Sequence, residues 1–258
     1  MDFIETKVDK LVVEVHQNRS NLGSSASRQV AAKMKEVIEQ KNEVRVVFAS
    51  APSQNEFLAG LCQEKGIKWD KVVAFHQDEY VGAAPEDDYC FGKFINVNLF
   101  DKVKPGTIHY IDGLNDDVED ECNRYAALLN EKPIDIICLG IGENGHVAFI
   151  EPHEADFNDT KELKRITLDE KCRNQQFHDF GFKSIEDVPK WGITMTIPAI
   201  MKVDYIYCMV PSVRKAEAVK DTLTGPVVEK CPASILRRHD KAILFLDRDS
   251  ASLVGGLE

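Results

Sequence analysis

Apolar positions recur along this chain at two different periods. Over residues 25–41, Ala, Val, Met and Ile fall at helical spacing among Lys, Glu and Gln, which predicts an amphipathic helix. Val44–Ser50, VRVVFAS, follows as a run of strand formers suited to burial on both faces. A helix over Asn55–Leu61 and a strand over Lys71–Phe75 come next, so a strand-helix-strand rhythm begins here and implies parallel pairing. Beyond it the pattern predicts a short strand at Ile108–Ile111, a helix over Val118–Leu129 and a central strand over Ile134–Leu139. Ile193–Ile197, Tyr205–Val210 and Ala242–Leu246 are further strands, with a helix over Val213–Leu223 between the last two. The expected fold is α/β, a three-layer α/β/α, Rossmann-like open sheet, mostly parallel, of six or seven strands.

No internal repeat, low-complexity tract or linker divides the chain, so one domain spanning 1–258 is expected. Pro152–Lys164 is charged and aperiodic, which suits a long loop or lid beside a site, and Asp249–Glu258 is expected to be a frayed tail. A composition with 43% hydrophobic and 29% charged residues belongs to a folded globular protein and excludes a disordered one. No apolar run approaches the ~20 residues that span a bilayer. Met1–Asn21 carries charges where a signal peptide would be apolar, so a cytoplasmic protein without a membrane partner is expected. The formal net charge of -11 repels polyanions, so nucleic acid is not an expected partner. A small phosphate stays compatible, because backbone N–H groups and one local cation act at short range. The seven cysteines are odd in number and contain no C-x-x-C pair, so they read as reduced structural thiols and no metal is called for.

Candidate chemistry centres on LGIGENGHVAFIEP, Leu139–Pro152, where Gly140, Gly142 and Gly145 form a literal G-x-G-x-x-G. In a dinucleotide fold the third glycine opens a helix whose N-terminus takes the pyrophosphate. Here His146 follows at once and Pro152 soon after, which leaves room for no such helix. The remaining reading is that the glycines bring backbone close to a small ligand, while Asn144, His146 and Glu151 present polar groups beyond a strand's carboxyl end. Three other strand ends carry similar material: His76-Gln77-Asp78-Glu79-Tyr80, Ser50-Ala51-Pro52-Ser53-Gln54 and Pro211-Ser212-Val213-Arg214-Lys215. Each alone has an ordinary explanation, since Asp78 and Glu79 could cap a helix, Ser53 could be an N-cap and Arg214-Lys215 a solvated face. Converging on one rim, they outline a small-molecule site.

Together these residues resemble the glucosamine-6-phosphate deaminase family, within the wider group that also holds the 6-phosphogluconolactonases. FHQDEYVG, Phe75–Gly82, is similar to the family's acidic motif and GIGENGHVAFIEP, Gly140–Pro152, to its histidine loop. EDVPKWGITMTIPAIM, Glu186–Met201, the Lys215-Ala216 step and CPASILRRH, Cys231–His239, resemble later landmarks, so the likeness covers nearly the whole chain. It implies that glucosamine 6-phosphate is opened, isomerised from aldose to ketose and deaminated to fructose 6-phosphate and ammonia. By motif position Asp78 is the base at the C1–C2 bond and His146 the ring-opening acid/base, with Glu151 orienting the imidazole and stabilising its charged form. No organic cofactor is implied.

Two departures from the family pattern matter. Asn144 stands where several members carry an aspartate, so an amide orients His146 without adding charge. The family's phosphate loop usually reads Ser/Thr-Gly-Gly-Ser/Thr-Pro, whereas Ser50–Gln54 keeps the hydroxyls and lacks the glycines. Phosphate is then expected on Ser50 and Ser53, on Gln54 at a helix N-terminus and on Lys215 as a point charge, with Gly142 at the close backbone approach. Arg173 lies near a family arginine but in a loosely matching stretch and is not assigned. A lactonase of the same fold usually reads GHTASLFP, so Glu151 favours the deaminase. A silent sugar-phosphate binder ranks lower because it has no need of an acid/base set. Galactosamine 6-phosphate is not distinguished, and the family includes both single subunits and homo-oligomers.

Overall fold

The structure is a computed structural model that describes residues 3–256. Its strands in chain order are β1 (Phe3–Val8), β2 (Leu11–His16), β3 (Val44–Phe48), β4 (Val72–His76), β5 (Asp78–Tyr80), β6 (Thr107–His109), β7 (Ile136–Leu139), β8 (Leu163–Thr167), β9 (Trp191–Met195), β10 (Tyr205–Val210) and β11 (Ala242–Asp247). Eight of them form one sheet in the order β1-β2-β11-β10-β7-β3-β4-β6, parallel throughout except for the antiparallel β1-β2 pair.

Alternation along the central strands explains why they are apolar at every position. In β7, Ile136 and Cys138 join a core under the helices α1 (Arg19–Lys41) and α2 (Asn55–Gln63), while Ile137 and Leu139 join a second core on the opposite face. Val46 and Val47 divide the same way in β3. The sheet is therefore covered on both sides, the condition under which parallel strands become continuous hydrophobic runs. The helices Val118–Asn130 and Ala216–Thr224 supply Tyr125 and Val219 to the second core.

The fold is α/β and mostly parallel as expected, with eight strands in its main sheet instead of six or seven. The Ile193 stretch, counted with the others, is β9 and belongs to a separate antiparallel sheet, β5-β9-β8. Asp78 and Glu79 both lie inside β5, and of the two Glu79 alone meets a helix start, that of Phe91–Ile95. Pro152–Glu162 is indeed loop, and β8 begins at Leu163. The expected frayed tail is wrong over its described part. Asp247 caps a short helix, Arg248–Ala251, and Val254 is buried, while the last two residues lie outside the described region.

Candidate active site

From β3 the chain runs outward through β4 and β6 to one edge of the sheet, then returns to place β7 on the other side of β3 and continues outward to β10 and β11. The β3/β7 junction is thus a topological switch point, and a cleft of about 220 Å³ opens there at the strands' carboxyl ends. That volume is below the ~300 Å³ at which drug-sized ligand pockets begin, so it suits a small ligand better than an extended dinucleotide. Ser50, Ser53 and Gln54 after β3 and Asp78 after β4 line this cleft. Gly142 and His146 after β7 and Lys215 after β10 complete it.

The Ser50–Gln54 loop solves its lack of glycine without a positive φ. Ala51 is extended and Pro52 opens a 3-10 turn that leads into α2, a position where its missing N–H costs nothing. Ser53 Oγ accepts from Gln54 Nε2 at 3.1 Å, and the same amide donates to the Met209 carbonyl at 3.2 Å. Ser50 Oγ, Gln54 Oε1 and Gln77 Oε1 are buried around the cleft without a partner among the described residues. Buried polar atoms are normally paired, so three orphans facing one cleft mark where a ligand's donors and charges belong. Lys215 is only 6% exposed and its ammonium forms no salt bridge among the described residues. Burial lowers its pKa to about 8, against the opposing pull of Asp179 and Glu143. An unpaired buried cation is costly unless an anion joins it.

Asp78, in the same cleft, is 4% exposed. Burial first, and the neighbouring Glu79 second, hold its carboxyl well above the ordinary range. Glu79 points elsewhere: it accepts the backbone N–H groups of Tyr80, Phe91 and Gly92 and so anchors the helix Phe91–Ile95. The His146 Nδ1–H donates to Asn144 Oδ1 at 2.7 Å, and Asn144 Nδ2 donates to Glu151 Oε2 at 2.5 Å. With Nδ1 protonated, Nε2 of the neutral ring is left as an acceptor. Burial and then the Lys215 charge lower the His146 pKa to about 3, so the resting imidazole is neutral. Glu151 is fully buried behind it, its carboxyl raised to about 7 chiefly by burial. It lies 3.8 Å from Nδ1, so it reaches the ring through Asn144 and not by a hydrogen bond of its own.

The glycine pattern now has a physical explanation. A Cβ on Gly142 would sit 2.1 Å from the His146 ring, and Gly145 takes a φ of +83° against Cys231. Gly142 makes room for an imidazole and Gly145 for a left-handed turn, neither of them for a pyrophosphate. Gly142→Ala is expected to expel the ring and lower turnover by roughly tenfold to 10²-fold, measured as kcat at unchanged protein stability. Arg173 spends its guanidinium on the Ile185 and Val188 carbonyls and does not line the cleft. Sequence reasoning missed Arg19 and the wall made by Gln175, Gln176 and Asp179 of the helix Glu170–Phe180. For that helix a signal existed, the cap at Asp169, which accepts from Cys172 N–H.

The family model described as glucosamine-6-phosphate isomerases/6-phosphogluconolactonase matches residues 17–245. This chain belongs to that family. Among curated relatives of the family, the glucosamine-6-phosphate deaminase of Bacillus cereus (strain G9842) is 34% identical over 220 residues, covering 85% of this chain and 82% of the relative. A solved structure described as a monomeric glucosamine-6-phosphate deaminase is 31% identical, with a TM-score of 0.86 over 93% of this chain and 99% of that one. A 6-phosphogluconolactonase from Thermotoga maritima, 20% identical, shares the fold with a TM-score of 0.75 over 92% of this chain and all of the other. Among the described residues no helix is long and apolar enough to cross a membrane.

Proposed function

We propose that this chain is a glucosamine-6-phosphate deaminase, acting as one domain in the cytoplasm. The observation that carries this reading is the cleft itself. A buried unpaired ammonium at Lys215 and an orphan hydroxyl at Ser50 share it with a desolvated carboxylate, Asp78, and a neutral imidazole, His146. The first pair suits a phosphate monoester, and the second suits proton transfer at the far end of the same sugar. The family relatives named above as glucosamine-6-phosphate deaminases support the substrate.

The roles follow from the protonation states. Nε2 of His146 takes the proton of the C1 hydroxyl and returns a proton to the ring oxygen, opening the pyranose. Asn144 holds the ring in place, and Glu151 holds Asn144. Asp78 then removes the C2 proton, with the adjacent substrate ammonium offsetting the burial that raises its pKa. The C1 oxygen takes up a proton from the substrate ammonium as the enolamine forms, and Asp78 returns the C2 proton to C1, which leaves an iminium at C2. Water adds there, and ammonia departs as fructose 6-phosphate forms. Each proton leaves and returns within reach of these two side chains, so the sequence balances without an electron acceptor.

The test is product balance. Purified protein given glucosamine 6-phosphate should release ammonia and fructose 6-phosphate in equal amounts. Hydrolysis of 6-phosphogluconolactone without ammonia from the amino sugar would transfer the site to the lactonase branch. A pH series adds a second check. Lys215 carries a lowered pKa, so in the free enzyme its charge is present below about 8 and is lost as pH rises through that value. KM for the phosphorylated sugar should climb above pH 8, while kcat at saturation changes far less.

A further inference from the structure

We propose that Arg19, at the first turn of α1, is a phosphate-binding residue that takes over from the missing glycine nest; this rests on the deaminase reading above. Arg19 lines the same cleft as Ser50 and Lys215 and touches the Ser50–Gln54 loop at Pro52. Its Nη2 donates to the Pro52 carbonyl at 3.2 Å and to Glu56 Oε2 at 2.7 Å, and its Nε lies 2.7 Å from Glu56 Oε1.

A guanidinium has five N–H donors in a fixed fork. Pro52 and Glu56 take the Nη2 donors, Nε lies against Glu56 Oε1 without a hydrogen bond, and Nη1 has no partner among the described residues. The carboxylate therefore works as a tether that sets the plane of the fork and leaves one edge for a further oxyanion. The tether is itself held by close packing, because α1 crosses α2 where a Cβ on Gly23 would lie 2.5 Å from the Glu56 Cβ. A second small contact, Gly60 against Ser27, keeps the two helices equally near one turn farther along.

The other arginine of the cleft is placed differently. Arg214 Nη2 donates to Asp179 at 2.9 Å, and its Nε faces Glu143 at 3.6 Å. Arg214 is thus held by one carboxylate and faces a second, which leaves its guanidinium less free to turn to a dianion. Arg19 has one carboxylate, an open edge and an orphan hydroxyl, that of Ser50, in the same cleft. Lys215 supplies the point charge and Arg19 the directed donors, a division of labour for which the two side chains are suited.

Arg19→Met should raise KM for glucosamine 6-phosphate by about tenfold or more, the loss of one charge-assisted contact, with kcat at saturation nearly unchanged. Its dissociation constant for inorganic phosphate, measured by calorimetry, should rise in proportion, and Arg19→Lys should recover part of both. Unchanged KM and unchanged phosphate affinity would overturn the assignment, as would a loss confined to kcat. The calorimetric arm decides on Arg19 even if the wild-type protein released no ammonia, in which case the deaminase reading alone would fall. Circular dichroism of the variants excludes a folding defect as the cause.

Discussion

Asp78→Asn is expected to lower kcat for deamination by about 10²- to 10⁴-fold, the usual worth of a positioned general base. The amide is nearly isosteric and removes a buried charge that Glu79 and burial already disfavour, so the fold should tolerate it well. Sugar-phosphate binding should persist, because the proposed phosphate contacts are Lys215 and Ser50 and not Asp78. Rapid-quench kinetics beside calorimetry separates the two effects. Full turnover in the variant would remove Asp78 from the mechanism, and lost binding with intact turnover at saturation would make it a binding residue.

The second large effect belongs to the imidazole. His146→Gln keeps a polar group beside Asn144 but has no ring nitrogen to shuttle the C1 and ring-oxygen protons. The cyclic substrate should slow by about 10²-fold or more, whereas an open-chain analogue blocked from cyclising should be processed at close to the normal rate. Equal losses on both would assign His146 to a later step. His146 should contribute no acid limb near pH 6.5, where an ordinary histidine titrates. Burial and Lys215 have already moved this one to about 3, so it gains a proton from solvent only far below that pH. A limb at 6.5 that vanishes in His146→Gln would contradict the neutral resting ring.

The parts of this molecule that were legible in its residues share a cause. β3, β7 and β10 are buried on both faces, so their hydrophobic runs announce them directly. The rim at their carboxyl ends could be located by the same reasoning, and Ser50, Asp78, His146 and Lys215 do line one cleft. The β1-β2 hairpin was not read, because β1 is a half-exposed edge whose charged residues dilute its alternation. α1 begins at Arg19 and not at residue 25, since its first turns are small and polar and depend on the Asn18 cap.

Other features are beyond one-dimensional reading altogether. Nothing near Arg19 says that it meets Glu56 and Pro52, because that contact is made by the crossing of two helices. Ser50–Gln54 lacks the family's two glycines, and in their place the chain forms a 3-10 turn that proline favours, which the residues alone did not reveal. Glu151 and the imidazole are separated by Asn144, a relay whose order along the sequence does not reveal its order in space.

The most direct measurement is a crystal structure with the unreactive amino alditol 6-phosphate, in which the reduced C1 blocks turnover. The expected density places the phosphate within hydrogen-bond reach of Lys215 Nζ and Ser50 Oγ, C2 against the Asp78 carboxyl, and the oxygens of C1 and C5 toward His146 Nε2. A ligand bound outside the β3/β7 cleft, or turned so that its phosphate meets Asp78, would contradict the assignment.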